Sequence, residues 1–258
     1  MKKTLAALTA VGLMVPLMAK AQSPGLEISG ELGFVSNYKF RGISQTDNKS
    51  AIQGGFELAH PSGLYAGTWG SNVSDWTNVN GNGMEFDLYA GYSAELPMGL
   101  GFDVGAIRYQ YPGNAPVSPL PKQNTTEIYV GVSYSIFSYT FSRTTSNWFG
   151  FVNTDGTGSS KGSYYQDLSL EYPVNDQITL TAHYGRQKVA GKNGYTPFSF
   201  SDYSVGLSYA LPNDFSVGLE YVGASLKAAQ KASGFLGGPN IDKQLWKNAA
   251  VVSLTKTF

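Results

Sequence analysis

The sequence predicts an all-β protein, a closed antiparallel transmembrane β-barrel of about 12 strands with short turns at one end and long loops at the other. Three observations point there. Apolar and polar residues alternate with period two along most of the chain, and the connections between these segments alternate between short and long. An export leader is followed by no apolar stretch long enough for a membrane helix.

The leader comes first. Lys2 and Lys3 precede an apolar run from Leu5 to Met18, and Ala19-Lys20-Ala21 supplies small residues for cleavage, so residues 1–21 read as a signal peptide cut near Ala21. Residues 22–258 then form the barrel. Losing the leader removes three lysines and no acid, leaving 15 basic against 18 acidic residues. That mild acidity points away from a nucleic-acid partner, which calls for a basic face. The absence of cysteine excludes disulfides and Cys-based metal or redox chemistry. Abundant Tyr, Phe and Gly suit short half-buried strands better than helices.

In chain order the expected strands are 27–37, 51–60, 64–73, 84–96, 101–111, 127–134, 137–144, 164–172, 177–186, 202–211, 215–223 and 248–258. The clearest is 84–96, where Met84, Phe86, Leu88, Ala90, Tyr92, Ala94 and Leu96 alternate with Glu85, Asp87, Tyr89, Gly91, Ser93 and Glu95; a helix would scatter both sets. The stretch 101–111 changes parity near Gly105, which suggests a bulge. In 127–134, Ile128, Val130, Val132 and Tyr134 repeat the alternation against Glu127, Tyr129, Gly131 and Ser133; 164–172 and the later strands follow. The final strand places Val252, Leu254 and Phe258 outward, with Lys256 as the polar exception.

Tight connections fall at 61–63, 97–100, 135–136, 173–176 and 212–214, with long segments between them, so every short turn and both termini share one end. In an outer-membrane barrel the short turns are periplasmic and the long loops extracellular. A secreted sandwich also alternates, but it has no need to sort its loops by length.

Parity sends Glu27, Glu31, Glu57, Glu85, Asp87, Glu95, Glu127, Asp167, Glu171, Asp202 and Glu220 inward. Bases gather toward the long loops: Lys39, Arg41, Lys49, Arg108, Arg143, Arg186 and Lys188. Either these charges pair within a polar interior or their residual field biases which solutes pass. The lumen-lining candidates are Glu31, Arg41, Glu57, Glu85, Asp87, Glu127, Asp167, Asp202 and Glu220. Twelve strands imply a narrow bore, between the filled eight-stranded barrels and the open sixteen-stranded ones. Residues 146–163 are the candidate segment for folding into it, against the reading of a mobile surface loop. Tyr65, Trp69, Tyr92, Tyr134, Tyr172, Tyr184, Tyr209 and Tyr221 suit interfacial girdles.

Enzymatic chemistry has little to rest on. Of the two histidines, His60 sits in a tight turn, while His183 points inward near Ser169 and Ser208 on adjacent strands. No G-x-S-x-G elbow occurs, two distant histidines make no zinc pattern, and no phosphate loop is present. No cofactor or metal is expected.

The segment "FVSNYKFRGISQTDNKSAIQGGFELAHPSGLYAGTWGSNV" (34–73) resembles the TorF family of porins, proteobacterial outer-membrane proteins. The likeness continues through "MEFDLYAGYSAEL", "GFDVGAIRYQYPG" and "TEIYVGVSYSIFSYTFSRTTSNWFG". It implies a Gram-negative outer-membrane channel for passive diffusion of small polar solutes or ions, and brings no catalytic residues. The alternatives are an outer-membrane lipid or ester hydrolase using His183, and a non-conducting structural or adhesion barrel. Expected partners are outer-membrane lipid and the assembly machinery, which terminal Phe258 resembles a signal for. Within the specific segment, Gly42 permits a sharp turn that carries Arg41 into the barrel mouth, toward Glu57 or Glu85.

Overall fold

The computed structural model describes residues 25–74, 83–113, 122–151, 158–191, 199–226 and 244–258; the expected signal peptide, residues 1–21, lies outside the described residues. Its strands are β1 (Glu27–Val35), β2 (Lys39–Phe40), β3 (Ile43–Ser44), β4 (Ala51–Ala59), β5 (Leu64–Asn72), β6 (Met84–Leu96), β7 (Leu100–Gln110), β8 (Thr125–Tyr134), β9 (Phe137–Thr144), β10 (Tyr164–Pro173), β11 (Ile178–Lys188), β12 (Phe200–Leu211), β13 (Phe215–Ser225) and β14 (Ala249–Thr257). All but β2 and β3 form one closed antiparallel barrel of 12 strands, each paired with its neighbours in sequence and closed by β1 against β14. Each expected strand is present. The two additional short strands pair with each other as a hairpin in the first long connection.

Alternation decides which side chains face out. On β4, Ile52, Phe56 and Leu58 are exposed while Glu57 is buried; on β8, Ile128, Val130, Val132 and Tyr134 are exposed while Glu127 is buried. This is the reverse of a water-soluble protein, and it suits an apolar band facing lipid.

The short turns are built by local chemistry. His60 accepts the Ser62 amide on Nδ1 at 3.1 Å, and its own amide donates to Leu64 at 2.8 Å, so this histidine shapes a turn. Asn175 Oδ1 accepts the Gln177 and Ile178 amides at 2.9 and 2.8 Å. At the seam Glu31 faces Thr257 and Val35 faces Ser253, and the Phe258 amide donates to Gly30 at 2.9 Å. The last residue thus extends the closing ladder with its ring exposed. Lys256, the outward polar exception, turns back to Asp214 Oδ2 at 3.5 Å and lies over the Phe215 and Phe258 rings.

Two expectations about the strands need correction. No bulge occurs at Gly105: β6 and β7 pair without interruption, from Phe86 opposite Gln110 through Gly91 opposite Gly105 to Leu96 opposite Leu100. The apparent parity change arises because Tyr109 is buried inside and Arg108 faces out, so it is the contents of the barrel that change there. Tyr65 and Trp69 do not join a girdle. Tyr65 is buried in the bore and Trp69 packs edge-on to Tyr38, whereas Tyr92, Tyr134, Tyr172, Tyr184, Tyr209 and Tyr221 are exposed on the outer face.

Interior glycines make room for these rings. Gly67 lies directly across the ladder from Tyr89, Gly91 from Tyr65, Gly105 from Tyr129 and Gly55 from Trp69. A Cβ on Gly67, Gly91 or Gly105 would collide with the facing tyrosine ring. The absent side chain leaves room for each ring to lie across the neighbouring strand.

Candidate functional site

The bore is built from two different halves. The long-loop half is closed by the β2–β3 hairpin, which folds down into the barrel so that residues 37 to 46 are all buried. Its two-residue turn is Arg41-Gly42, with φ of +48° and +76°, the sign pattern of a type I′ hairpin turn. Glycine adopts that conformation freely, but arginine does so at a cost of about 1–3 kcal/mol. A Cβ on Gly42 would lie 2.7 Å from the Gly223 carbonyl and 2.8 Å from the Asp202 Cβ, so the tip abuts β12 and β13.

What holds Arg41 in place is its surroundings. Its Nη2 donates to Glu127 Oε2 at 2.7 Å, and Nη1 donates to Glu127 Oε1 at 3.1 Å and to Gln187 Oε1 at 2.6 Å. The guanidinium also sits over Tyr165, 4.1 Å from the ring centroid. A planar fork on a carboxylate is the strongest pairing an arginine makes, and here both partners are buried. Arg41 points inward, but its acid is Glu127 on β8 and neither Glu57 nor Glu85. Glu57 lies nearer the short turns and Glu85 instead accepts the Tyr111 hydroxyl at 3.1 Å.

Around the hairpin, aromatic and aliphatic side chains pack beside the buried acids. Tyr38 packs on Trp69 at 5.5 Å between ring centroids, and Phe40 packs on Tyr109 and Phe149 at 5.6 and 5.7 Å. Ile43 belongs to a second buried cluster with Trp148, Phe200 and Leu245. Lys39 Nζ donates to the Lys247 carbonyl at 2.7 Å, and the Ser44 amide to the Leu245 carbonyl at 2.9 Å. The segment 146–163 therefore does enter, through Trp148 and Phe149, but beneath it the deeper occupant is the first connection. Residues 152–157 of that segment lie outside the described residues. Twelve strands imply a narrow bore, and the described residues fill its long-loop half.

The other half is polar and reachable from the short-turn end. Inward side chains such as Glu31, Asp103 and Glu171 keep partial exposure. Tyr89 donates to Glu57 Oε2 at 3.2 Å, and Tyr65 donates to Asp103 Oδ1 at 2.8 Å while its hydroxyl also meets that of Tyr129. Glu27 and Glu95, inward by parity, sit at exposed strand ends.

His183 lies between the halves, clamped by two acids. Nδ1 approaches Asp167 Oδ2 at 2.8 Å and Nε2 approaches Asp202 Oδ1 at 2.7 Å. Tyr165 donates to the same Asp202 oxygen at 2.9 Å. The doubly protonated imidazolium, with two N–H donors, satisfies both carboxylates. Ser169 donates to Asp167 Oδ1 at 2.6 Å and stands 3.4 Å from Nδ1, while Ser208 pairs with Thr179 further along β12. Neither ring nitrogen is left to take a proton from a serine, so this cluster lacks the geometry of a nucleophile and its base.

Acids outnumber bases inside. Arg41, Lys39 and His183 are the inward cations among the described residues, facing Glu31, Glu57, Glu85, Asp87, Asp103, Glu127, Asp167, Glu171, Asp202 and Glu220. Oxygens of Glu85, Asp87, Asp202 and Glu220 are buried without a protein donor. The other bases gathered near the long loops, Lys49, Arg108, Arg143, Arg186 and Lys188, are exposed instead of pairing inside. On β7, β9 and β11 the parity of Arg108, Arg143, Arg186 and Lys188 is that of the apolar residues, which the period-two pattern already contained.

The fold is that of outer-membrane porins. It is similar to a KdgM porin solved in complex with disordered oligogalacturonate, at TM-score 0.52 and 9% identity, covering 90% of this chain and 98% of that one. It is likewise similar to the NanC porin, at TM-score 0.53 and 9% identity over 90% of this chain and 98% of that one. No curated protein matches by sequence. The family model that matches is that of bacterial proteins of unknown function called Gcw_chp; the comparisons do not carry the TorF name to the chain. Because that match runs over residues 18–258, nearly the whole sequence, the chain belongs to the Gcw_chp family.

Proposed function

We propose that this protein is an outer-membrane channel for small polar solutes or ions, with the β2–β3 hairpin as a displaceable closure of its long-loop mouth. The observation that supports it is the two-part bore: a long-loop half filled by the hairpin, packed rings and buried acids, above a polar and partly exposed half that opens to the short-turn end. A permanently solid barrel has no use for buried carboxylate oxygens without donors, each of which costs free energy as it stands. Hairpin withdrawal would put those oxygens on the path of a passing ion. Glu31, Arg41, Glu57, Glu85, Asp87, Glu127, Asp167, Asp202 and Glu220 are the proposed lining of that path.

The inward acid excess favours cations, as charged rings do in channels. Oligogalacturonate, named with the KdgM structure, is a polyanion, and a bore of this sign repels it; the shared fold therefore does not bring that ligand here. The second reading, a non-conducting barrel, draws on the buried Arg41–Glu127 pair that holds the hairpin.

Planar-bilayer recordings of the refolded protein separate the two. Discrete conductance with a reversal potential of the cation-selective sign in a salt gradient is the expected result. Silence from both the native protein and a variant whose residues 38–45 are replaced by Gly and Ser would overturn the channel reading, and an anion-selective sign would overturn the charge argument.

A further inference from the structure

The outer surface carries bases in one place where a barrel facing only acyl chains has no use for them. On β11 the outward residues run Ile178, Leu180, Ala182, Tyr184, Arg186 and Lys188: apolar, then aromatic, then basic on approaching the long loops. β9 does the same with Phe137, Tyr139, Phe141 and Arg143, and β7 ends its outward series on Arg108. Register brings these together. Tyr164 on β10 lies between Arg143 and Lys188, and Gln166 faces Arg186.

All four bases are exposed and none makes an ion pair among the described residues. Arg108 is steadied by Thr126, whose hydroxyl accepts from it at 2.8 Å, while Arg143 lies against Gly162, 3.3 Å from where a Cβ would stand. The outward strand positions of β12, β13, β1, β4, β5 and β6 carry no charge, and on β14 the one charged outward position, Lys256, is at the opposite end. The bases thus form one sector. On alternate strands they stand about 10 Å apart, with uncharged side chains between them.

We infer that this sector, Arg108, Arg143, Arg186 and Lys188, is a binding site for a phosphorylated lipid of the leaflet the long loops face, of the lipopolysaccharide type. The apolar and aromatic residues below each base receive acyl chains, and the guanidinium groups pair with headgroup phosphates through bidentate contacts. A headgroup bearing two phosphates can engage two of the strands at once. The inference rests on the outer-membrane reading of the fold, and holds whether or not the barrel conducts.

The test uses the refolded barrel in detergent, titrated with purified lipopolysaccharide and followed by its thermal unfolding transition and by lipid retained in native mass spectrometry. The expected result is a raised transition with retained lipid, and at least about a tenfold loss of affinity in R143Q/R186Q/K188Q, each removed base contributing near the surface. The same loss is expected for the native protein titrated with phosphatase-treated lipid, an arm that needs no variant to fold. K49Q/K247Q, changed away from the sector, should bind as the native protein does. Equal binding by the triple variant, or by dephosphorylated lipid, overturns the inference. Competition by millimolar inorganic phosphate alone would also overturn it, marking a site for the free anion.

Discussion

Arg41→Gln should loosen the hairpin while leaving the barrel intact. The substitution removes the fork that Glu127 accepts at 2.7 and 3.1 Å and leaves that carboxylate buried with its charge uncompensated. Breaking one side of a buried ion pair costs about 3–5 kcal/mol. Glutamine offers no relief, because it too must adopt the positive φ of the turn, and it forgoes the stacking over Tyr165, worth about 0.5–2 kcal/mol. At a factor of ten per 1.4 kcal/mol, the ratio of inserted to withdrawn hairpin falls by roughly 100-fold or more. Barrel strands make none of the lost contacts among themselves, so the heat-modified electrophoretic shift of the folded barrel should persist. Single-channel open probability should rise by a comparable factor, and R41Q/E127Q, which removes both charges, should return most of the way to the native value. Unchanged open probability and ion selectivity in Arg41→Gln would refute this account of the closure.

Two further outcomes follow from the interior. His183→Asn leaves Asp167 and Asp202 without the cation between them and should destabilise the barrel by about 3–5 kcal/mol, read from the midpoint of urea unfolding in lipid vesicles; an unchanged midpoint would show that the clamp contributes nothing. Gly67→Val should collide with the Tyr89 ring and with the Phe56 carbonyl, 2.7 Å from where its Cβ would stand, at a cost of about 1–3 kcal/mol, and Tyr89→Ala should restore only the part due to the ring; strictly additive losses in the double variant would contradict the proposed pairing.

Parity is the reason so much of the barrel was legible from residue types. Side chains of a strand alternate between faces with a fixed period, so Leu88 and Ala90 against Asp87 and Tyr89 announce their faces without any knowledge of the neighbours. The same rule also contained the outward sector of bases: Arg186 shares its parity with Leu180 and Tyr184, although proximity to the long loops suggested an inward partner. Where a strand carries apolar residues on both faces, parity is silent. That is why the run 101–111 suggested a bulge at Gly105, and why Tyr65 and Trp69 suggested a girdle.

Local pattern therefore determined the strand number, the turn and loop ends, the outward apolar band and the inward acids other than Asp103, which lies on the strand whose parity is ambiguous. Tertiary structure alone decided the contents of the bore. The choice of Glu127 as the acid for Arg41 depends on where a hairpin tip comes to rest at a sequence separation of 86, and the clamp on His183 depends on register across three strands. A loop that folds inward and one that stays at the surface can share the same turn residues, since Gly42 permits either. What separates them is whether the barrel it enters offers rings to pack on and a carboxylate to pair with, and that is a property of every strand at once.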